Sequence, residues 1–399
     1  MDQAQDIKFS YILPLLMFVV MCCVFSIDIY IPSLPQMVSF FATTQEKVQF
    51  TITAGLIGST ILTVFIGPLS DAFGRRRLII FFQFCFAFIT YLASLATSVE
   101  MLIVARVFQG MSNVAGMVLS FAIISDVSHG KSVAIRFSYI TTTITTSLVL
   151  APFIGGILAT YNDWRYCFWL LSLMSFISAL LLYFLLPETN KIRKPFSVLT
   201  TTKNYQKIFT HKIFLMIVFI PSIMIGAHIA FTASSSFYYK EVLNISPFGF
   251  GIYQAIIMSS NSVFNYISSF VIHRWGEKRT IEIGMGITVV GAIVFLIITF
   301  VLPFSAIAIT SAMVLCSGGL GFMLSSLSAE CFSLFSKDAS GATSSAMSLI
   351  RGIVFALILS VTSVLYDGEL IVLSGCIAVV TFLSLFLYLF VLKLKRNQT

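Results

Sequence analysis

Ionisable side chains inside long apolar runs are where this sequence could do chemistry, because a charge far from water persists only where a partner or a function holds it there. Asp28 is the one carboxylate well within such a run. An ionised carboxylate in lipid-like surroundings is expensive, so Asp28 is placed to take up and surrender a proton near neutral pH, and a solute competing with that proton for one site would be coupled to it. Arg106 and Arg351 are the two arginines within apolar runs. Arg106, costly in a span unless paired or water-exposed, asks for a function, and its bland reading is a snorkelling or structurally paired arginine near the outer end of its helix. Arg351 has two readings of equal standing: it recruits an acidic group of a solute, or it pairs with backbone carbonyls or snorkels toward Asp367 or Glu369. Two arginines against one aspartate leave surplus positive charge, which favours an anionic or zwitterionic solute. Tyr30, Gln109, Asn261 and Asn265 are, with Arg351, the side chains expected to line a solute pocket, and Tyr139 is a further candidate. His228 stands alone and has two readings, a titrating group or, more usual for a lone histidine, a hydrogen-bonded packing residue. The seven cysteines fall in apolar stretches with no CxxC pair and behave as small hydrophobes.

The elements that must position these residues follow from composition. Of 399 residues, 58% are hydrophobic and 10% charged, and the mean hydropathy is +0.98. So few charges cannot cover a water-soluble surface, which excludes a soluble enzyme, a nucleic-acid binder and a secreted disulfide scaffold. A bilayer core takes about 20 apolar residues per helix. The runs 11–30, 48–68, 78–97, 101–125, 137–160 and 166–186 meet that length before a charged stretch, and 213–237, 249–272, 281–302, 305–329, 342–365 and 370–394 meet it after. The first run continues past Tyr30 toward Pro35 and, lacking a small-residue cleavage site, reads as an uncleaved first helix.

The net charge is +8, but the basic residues sit at the ends of the apolar runs and form no single patch, so nucleic acid is not an expected partner. Lys8, Arg75–Arg77, Lys131, Arg136, the basic residues of the linker 188–212, Arg274, Lys278, Arg279, Lys337, Lys393, Lys395 and Arg396 fall on one side if the runs alternate. The excess of positive charge on that side puts both termini in the cytoplasm. A repeat joins the halves: Asp71-Ala72-Phe73-Gly74-Arg75-Arg76-Arg77 and His273-Arg274-Trp275-Gly276-Glu277-Lys278-Arg279 share an aromatic, a Gly and basic residues in register, offset by 202, about half the chain. Two homologous six-helix units around a central site are the expectation.

Gly67-Pro68-Leu69-Ser70-Asp71-Ala72-Phe73-Gly74-Arg75-Arg76-Arg77 resembles G-x-L-x-D-R-x-G-R-R, the loop signature of the major facilitator superfamily, with Ala72 in place of the usual Arg. The resemblance implies a conformational latch between the two bundles made by Gly67, Asp71, Gly74, Arg75 and Arg76. Arg106, Gln109 and Gly110 are similar to the fourth-helix motif R-x-x-Q-G, whose arginine contributes to proton coupling in the family. Pro152, Gly155 and Gly156, after Ser147 and Ala151, resemble the fifth-helix antiporter motif G-x-x-x-G-P-x-x-G-G, and a structural Pro-Gly kink is its simpler reading. Asp28-Ile29-Tyr30-Ile31-Pro32-Ser33-Leu34-Pro35 is similar to D-M-Y-L-P-A-L-P, the first-helix signature of the Bcr/CflA, or bicyclomycin-resistance-type, drug:proton antiporters. Asp126, Leu186-Pro187-Glu188-Thr189 and Gly341 to Ala346 fit the same subfamily.

The expected fold is therefore an all-α polytopic membrane protein: twelve transmembrane helices in two pseudo-symmetric six-helix bundles, residues 1–187 and 213–399, joined by a cytoplasmic linker, 188–212. The expected function is proton-coupled efflux of small molecules by alternating access, with transport of an anionic or zwitterionic metabolite or siderophore through Arg106 and Arg351 as the alternative. The chain carries no P-loop pattern and its loops are too short for a nucleotide-binding domain, so the energy source is expected to be the proton gradient, with no cofactor and no metal. The expected partners are the solute, protons and the lipid bilayer. The expected state is a monomer in a bacterial inner membrane.

Overall fold

Long apolar runs satisfy their backbone groups internally as helices, and the computed structural model, which describes residues 11–128, 131–190, 208–335 and 340–396, consists of helices joined by short connections. The linker expected at 188–212 falls largely outside those residues, as do Lys8 and Lys337. The helices are α1 (Ile12–Asp28), α2 (Leu34–Phe41), α3 (Gln45–Phe73), α4 (Arg75–Ser94), α5 (Val99–Val127), α6 (Lys131–Tyr161), α7 (Arg165–Leu185), α8 (Lys212–Phe237), α9 (Pro247–Val301), α10 (Ala306–Ser333), α11 (Ser340–Leu365) and α12 (Leu370–Arg396). Several start at a side chain that accepts from an otherwise unpaired N–H: Thr44 from Lys47, Ser98 from Met101, Ser246 from Gly249 and Ser305 from Ala308.

Among the described residues, eleven helical stretches are long and apolar enough to cross a bilayer. The first, Ile12–Phe41, is broken just after Asp28 by a short 3-10 turn, Ile31–Ser33. Pro32 and Pro35 each withhold a backbone N–H there, so α1 cannot run unbroken into α2. At 55 residues, α9 as one straight rod would be about 80 Å long, far beyond a bilayer. It breaks at Gly276, with φ 80° and ψ 168°, into arms 247–275 and 277–301. Gly74, with φ 94°, parts α3 from α4 at the position 202 residues earlier. Both glycines take a conformation that a side chain would strain, so the loop repeat read in the sequence recurs as a repeated backbone turn.

The two arms of α9 double back around α10. Gly321 meets the Asn261 carbonyl of the first arm and Gly319 the Gly284 carbonyl of the second. In the earlier part of the chain α5 packs in the same way against α3 and α4, α4 also packs on α7, and α1 on α6. Contacts between residues 11–190 and residues 208–396 run chiefly along two seams, α6 against α9 and α3 against α11. Large apolar side chains such as Phe81, Phe88, Phe300 and Phe386 are exposed, the surface of a protein whose solvent is lipid.

Candidate functional site

Glycines let α3 and α5 touch backbone to backbone. A Cβ on Gly58 would lie 2.0 Å from the Val107 oxygen, and one on Gly110 would lie 2.0 Å from the Gly55 oxygen. That contact lays the Arg106 guanidinium across Gly55 and toward α1. Nη1 donates to the Ser26 carbonyl at 3.0 Å and to Gln109 Oε1, and Nε donates to the Thr51 carbonyl at 3.3 Å. The Tyr30 ring lies against the guanidinium with its centroid 4.7 Å from Cζ. Gln109 Nε2 donates to Thr90 Oγ1 at 2.7 Å, and the Tyr30 hydroxyl is 3.2 Å from Thr51 Oγ1. Arg106 is 3% exposed. The fourth-helix motif thus brings Arg106, Gln109 and Tyr30 together, but it engages their polar groups with one another and with Ser26, Thr51 and Thr90.

Asp28 is half-buried at the end of α1 and has no hydrogen-bond or ion-pair partner among the described residues. It does not pair with Arg106. The acid is therefore the unengaged member of this group, beside a cation already held by neutral acceptors.

The fifth-helix motif builds a seam. Gly155 sits where a Cβ would be 1.7 Å from the Ile29 carbonyl oxygen, Gly156 where it would be 2.6 Å from that of Pro247, and Gly251 where it would be 2.5 Å from that of Pro152. Thr160 Oγ1 accepts from the Phe248 N–H at 2.9 Å, and the Phe153 and Phe248 rings are 5.7 Å apart. At the same end of the molecule Gln45 Nε2 donates to Glu241 Oε2 at 2.9 Å and Ser234 donates to Gln49 Oε1 at 3.0 Å. This end is closed by bonds between the two parts of the chain.

The other end differs. On α6 the residues Ser138, Tyr139, Thr141, Thr142 and Thr146 are exposed, and on the first arm of α9 so are Tyr266 and Ser269. The α6 hydroxyls fold back on their own helix, Thr141 to the Phe137 carbonyl at 3.0 Å and Thr142 to that of Ser138 at 2.9 Å. The run Thr141-Thr142-Thr143-Ile144-Thr145-Thr146 in the middle of an apolar helix is the sequence signal that the motif reading passed over. Gln49 and the Ser234–Ser236 run, which meet at the closed end, were passed over likewise.

The cluster expected to latch the two bundles lies at this open end. Arg75 pairs with Asp71 at 3.5 Å and with Asp126 at 2.8 Å. The Arg75 N–H donates to Glu188 Oε1 at 3.1 Å, Thr189 Oγ1 donates to Asp126 Oδ2 at 3.2 Å, and Arg76 donates to the Tyr183 and Leu186 carbonyls. Gly74 leaves room for Glu188, since a Cβ there would lie 2.4 Å from Oε2. Gly67 faces open space. Every one of these bonds lies within residues 67–190. In this conformation the cluster knits the α3–α4 loop to the start of the linker, and among the described residues none of these bonds reaches the other half.

Arg351 departs from both structural expectations. Asp367 and Glu369 lie beyond the far end of α11, and the guanidinium reaches instead to α10, where Nη2 is 3.4 Å from Ser328 Oγ. Its Nε is buried without a partner. Asn261 Nδ2 donates to the Ser317 carbonyl at 3.0 Å and Asn265 Oδ1 accepts from Ser325 at 3.3 Å, so both asparagines tie the first arm of α9 to α10. Nε and Nη1 of Arg106 are bonded to the protein, whereas Arg351 has a single long bond, so the two guanidinium groups stand in different surroundings. Nε2 of His228 is also buried without a partner, so the hydrogen-bonded packing role expected for this residue is not met at that atom.

A sequence profile described as Major Facilitator Superfamily matches residues 16–359. The chain is 29% identical over 284 residues to the Uncharacterized MFS-type transporter YdgK of Bacillus subtilis, covering 69% of this chain and 70% of that one. It is 26% identical over 265 residues to the Bicyclomycin resistance protein homolog of Haemophilus influenzae, covering 66% and 67%. Its fold superposes on the crystal structure of a point mutant of the nucleoside transporter NupG with a TM-score of 0.75 at 16% identity, covering 95% of this chain and 99% of that one.

Proposed function

The chain belongs to the Major Facilitator Superfamily, and on that premise we propose that it is a proton-coupled efflux antiporter of small molecules, similar to the Bcr/CflA drug exporters. It is an integral membrane protein. Counting the two arms of α9 separately gives twelve spans, arranged as bundles 1–187 and 213–399 around the two seams, with the linker 188–212 and both termini in a bacterial cytoplasm. With that orientation the closed end is the outer face and the open end the inner one. The threonine-lined opening beside α6 then admits solute from the cytoplasm, and the bonds from Gln45 to Glu241 and from Ser234 to Gln49 open when the bundles rock. The protein works as a monomer, without a cofactor, on the proton gradient.

Asp28 carries the reading. A carboxyl inside a span with no fixed counter-ion, at the break between α1 and α2 and next to the helix that Gly155 presses onto Ile29, is free to exchange a proton and to feel the seam move. Proton and solute exclude each other there, so that loading one releases the other. The Asp71–Arg75–Asp126 cluster serves as the inner latch once the two inner ends meet. Solute is held by Arg351 at the margin of the opening, and by Asn261, Asn265 and Tyr30 once the bonds that engage them in this conformation open. Asp28→Asn is expected to insert and unfold like the wild type while losing pH-driven solute flux in proteoliposomes. Undiminished flux in that variant would falsify the assignment.

A further inference from the structure

A guanidinium inside a membrane span is stable only where something offsets its charge. Arg351 lies within the span Thr343–Leu365, and what offsets it is missing. Of its donors, Nε is buried without a partner and Nη2 has only a long bond, 3.4 Å, to Ser328 Oγ. No acid lies within ion-pair distance of it among the described residues. The acid on the adjacent turn of α10, Glu330, is taken by Lys395 from α12. The remaining neighbour, Cys331, is a buried thiol. The residue after Arg351, Gly352, is where α11 presses on Thr60 of α3, so this unpaired cation sits next to the crossing of the two halves. On the same stretch of α10 Ser325 is exposed and is joined to Asn265.

We propose that Arg351, with Ser328, is an oxyanion-binding position of the C-terminal half, which takes the carboxylate or phosphate of a group that enters from outside the protein. A planar guanidinium receives such a group through two parallel N–H bonds once its Nε edge, unpartnered but buried in this conformation, is uncovered, and the Ser328 hydroxyl supplies a third donor. The same chemistry comes either from a solute in the inner opening or from a lipid phosphate at the inner ends of α10, α11 and α12. The assignment rests on the transporter reading only for its biological meaning, because binding is measured without flux.

The test uses the purified full chain in an uncharged detergent. Sulfate or inorganic phosphate replaces chloride at constant ionic strength while the thermal unfolding midpoint is followed. A saturable rise is expected in the wild type, absent in Arg351→Gln, and shifted to roughly tenfold higher concentration in Ser328→Ala. Arg351→Lys, which keeps the charge and loses the fork, is expected to respond weakly, and it stands in should Arg351→Gln fail to elute as a single species. If free oxyanions do nothing but phosphatidylglycerol nanodiscs stabilise the wild type over phosphatidylcholine ones, and Arg351→Gln abolishes the difference, the ligand is the lipid phosphate. Responses of equal size in wild type and both Arg351 variants, or none in either medium, overturn the site. Loss of flux in Asp28→Asn leaves these outcomes unchanged, so the two assignments fail separately.

Discussion

Two arginines lie inside spans of this protein, and their surroundings are opposites. Arg106 has two backbone carbonyls, one side-chain amide and one aromatic face, and hardly any exposed surface. Arg351 has one long bond to a hydroxyl and an orphaned Nε. A fully engaged polar network fixes the packing around it, whereas a half-engaged one is costly to the resting fold and open to a ligand. Location in a span therefore says little about a cation's role, and its partners say a great deal. The same contrast holds within the N-terminal half, where Asp28 stands unpartnered beside the saturated Arg106 cluster.

The contrast breaks if the two cations respond alike to removal. Arg106→Gln leaves the Ser26 and Thr51 carbonyls and the Gln109 amide short of donors, and a loss of about 3 kcal/mol or more is expected, read as a large fall in the thermal unfolding midpoint. Gly110→Val forces a side chain against the Gly55 carbonyl and should part α5 from α3 at a cost of about 2 kcal/mol, with Arg106 displaced as a consequence. Thr90→Val removes the acceptor for Gln109 at the edge of the network, together with the hydroxyl's own bond to the Phe86 carbonyl, and should cost about 1 kcal/mol. Arg351→Gln, measured in chloride without oxyanion, should change stability by no more than about 0.5 kcal/mol, or raise it slightly, because a poorly paired buried charge is being removed. A fall comparable to that of Arg106→Gln would erase the distinction.

The spans and the paired glycine loops were legible because apolar length and glycine act locally. The helical arms on either side of Gly276 were read as separate runs for the same reason. The first helix, by contrast, was expected to continue past Tyr30 toward Pro35 and instead breaks after Asp28, where Pro32 and Pro35 withhold backbone donors. The partners of Arg106 were not legible, since two of them are carbonyls of α1 and α3 brought into range by a glycine contact, and backbone acceptors leave no mark on residue type. Asp126 was read only through its motif. Its bond to Arg75 depends on how α5 ends against the α3–α4 loop. The partners Arg75 takes here were not legible because a sequence carries no conformational state: Arg75 is bonded within its own half while the inner ends stand apart. One of the readings open for Arg351 had it snorkel toward Asp367 or Glu369, but those acids are separated from it by the rest of α11.

The exposed threonines of α6 have a last implication. Each hydroxyl hydrogen bonded to its own backbone is unavailable to a passenger, which meets only methyl groups and oxygen lone pairs. Such a wall is wet without being adhesive. Passengers of quite different outline can slide along it with no single group detaining them, and tolerance toward cargo is then a property of the helix surface itself.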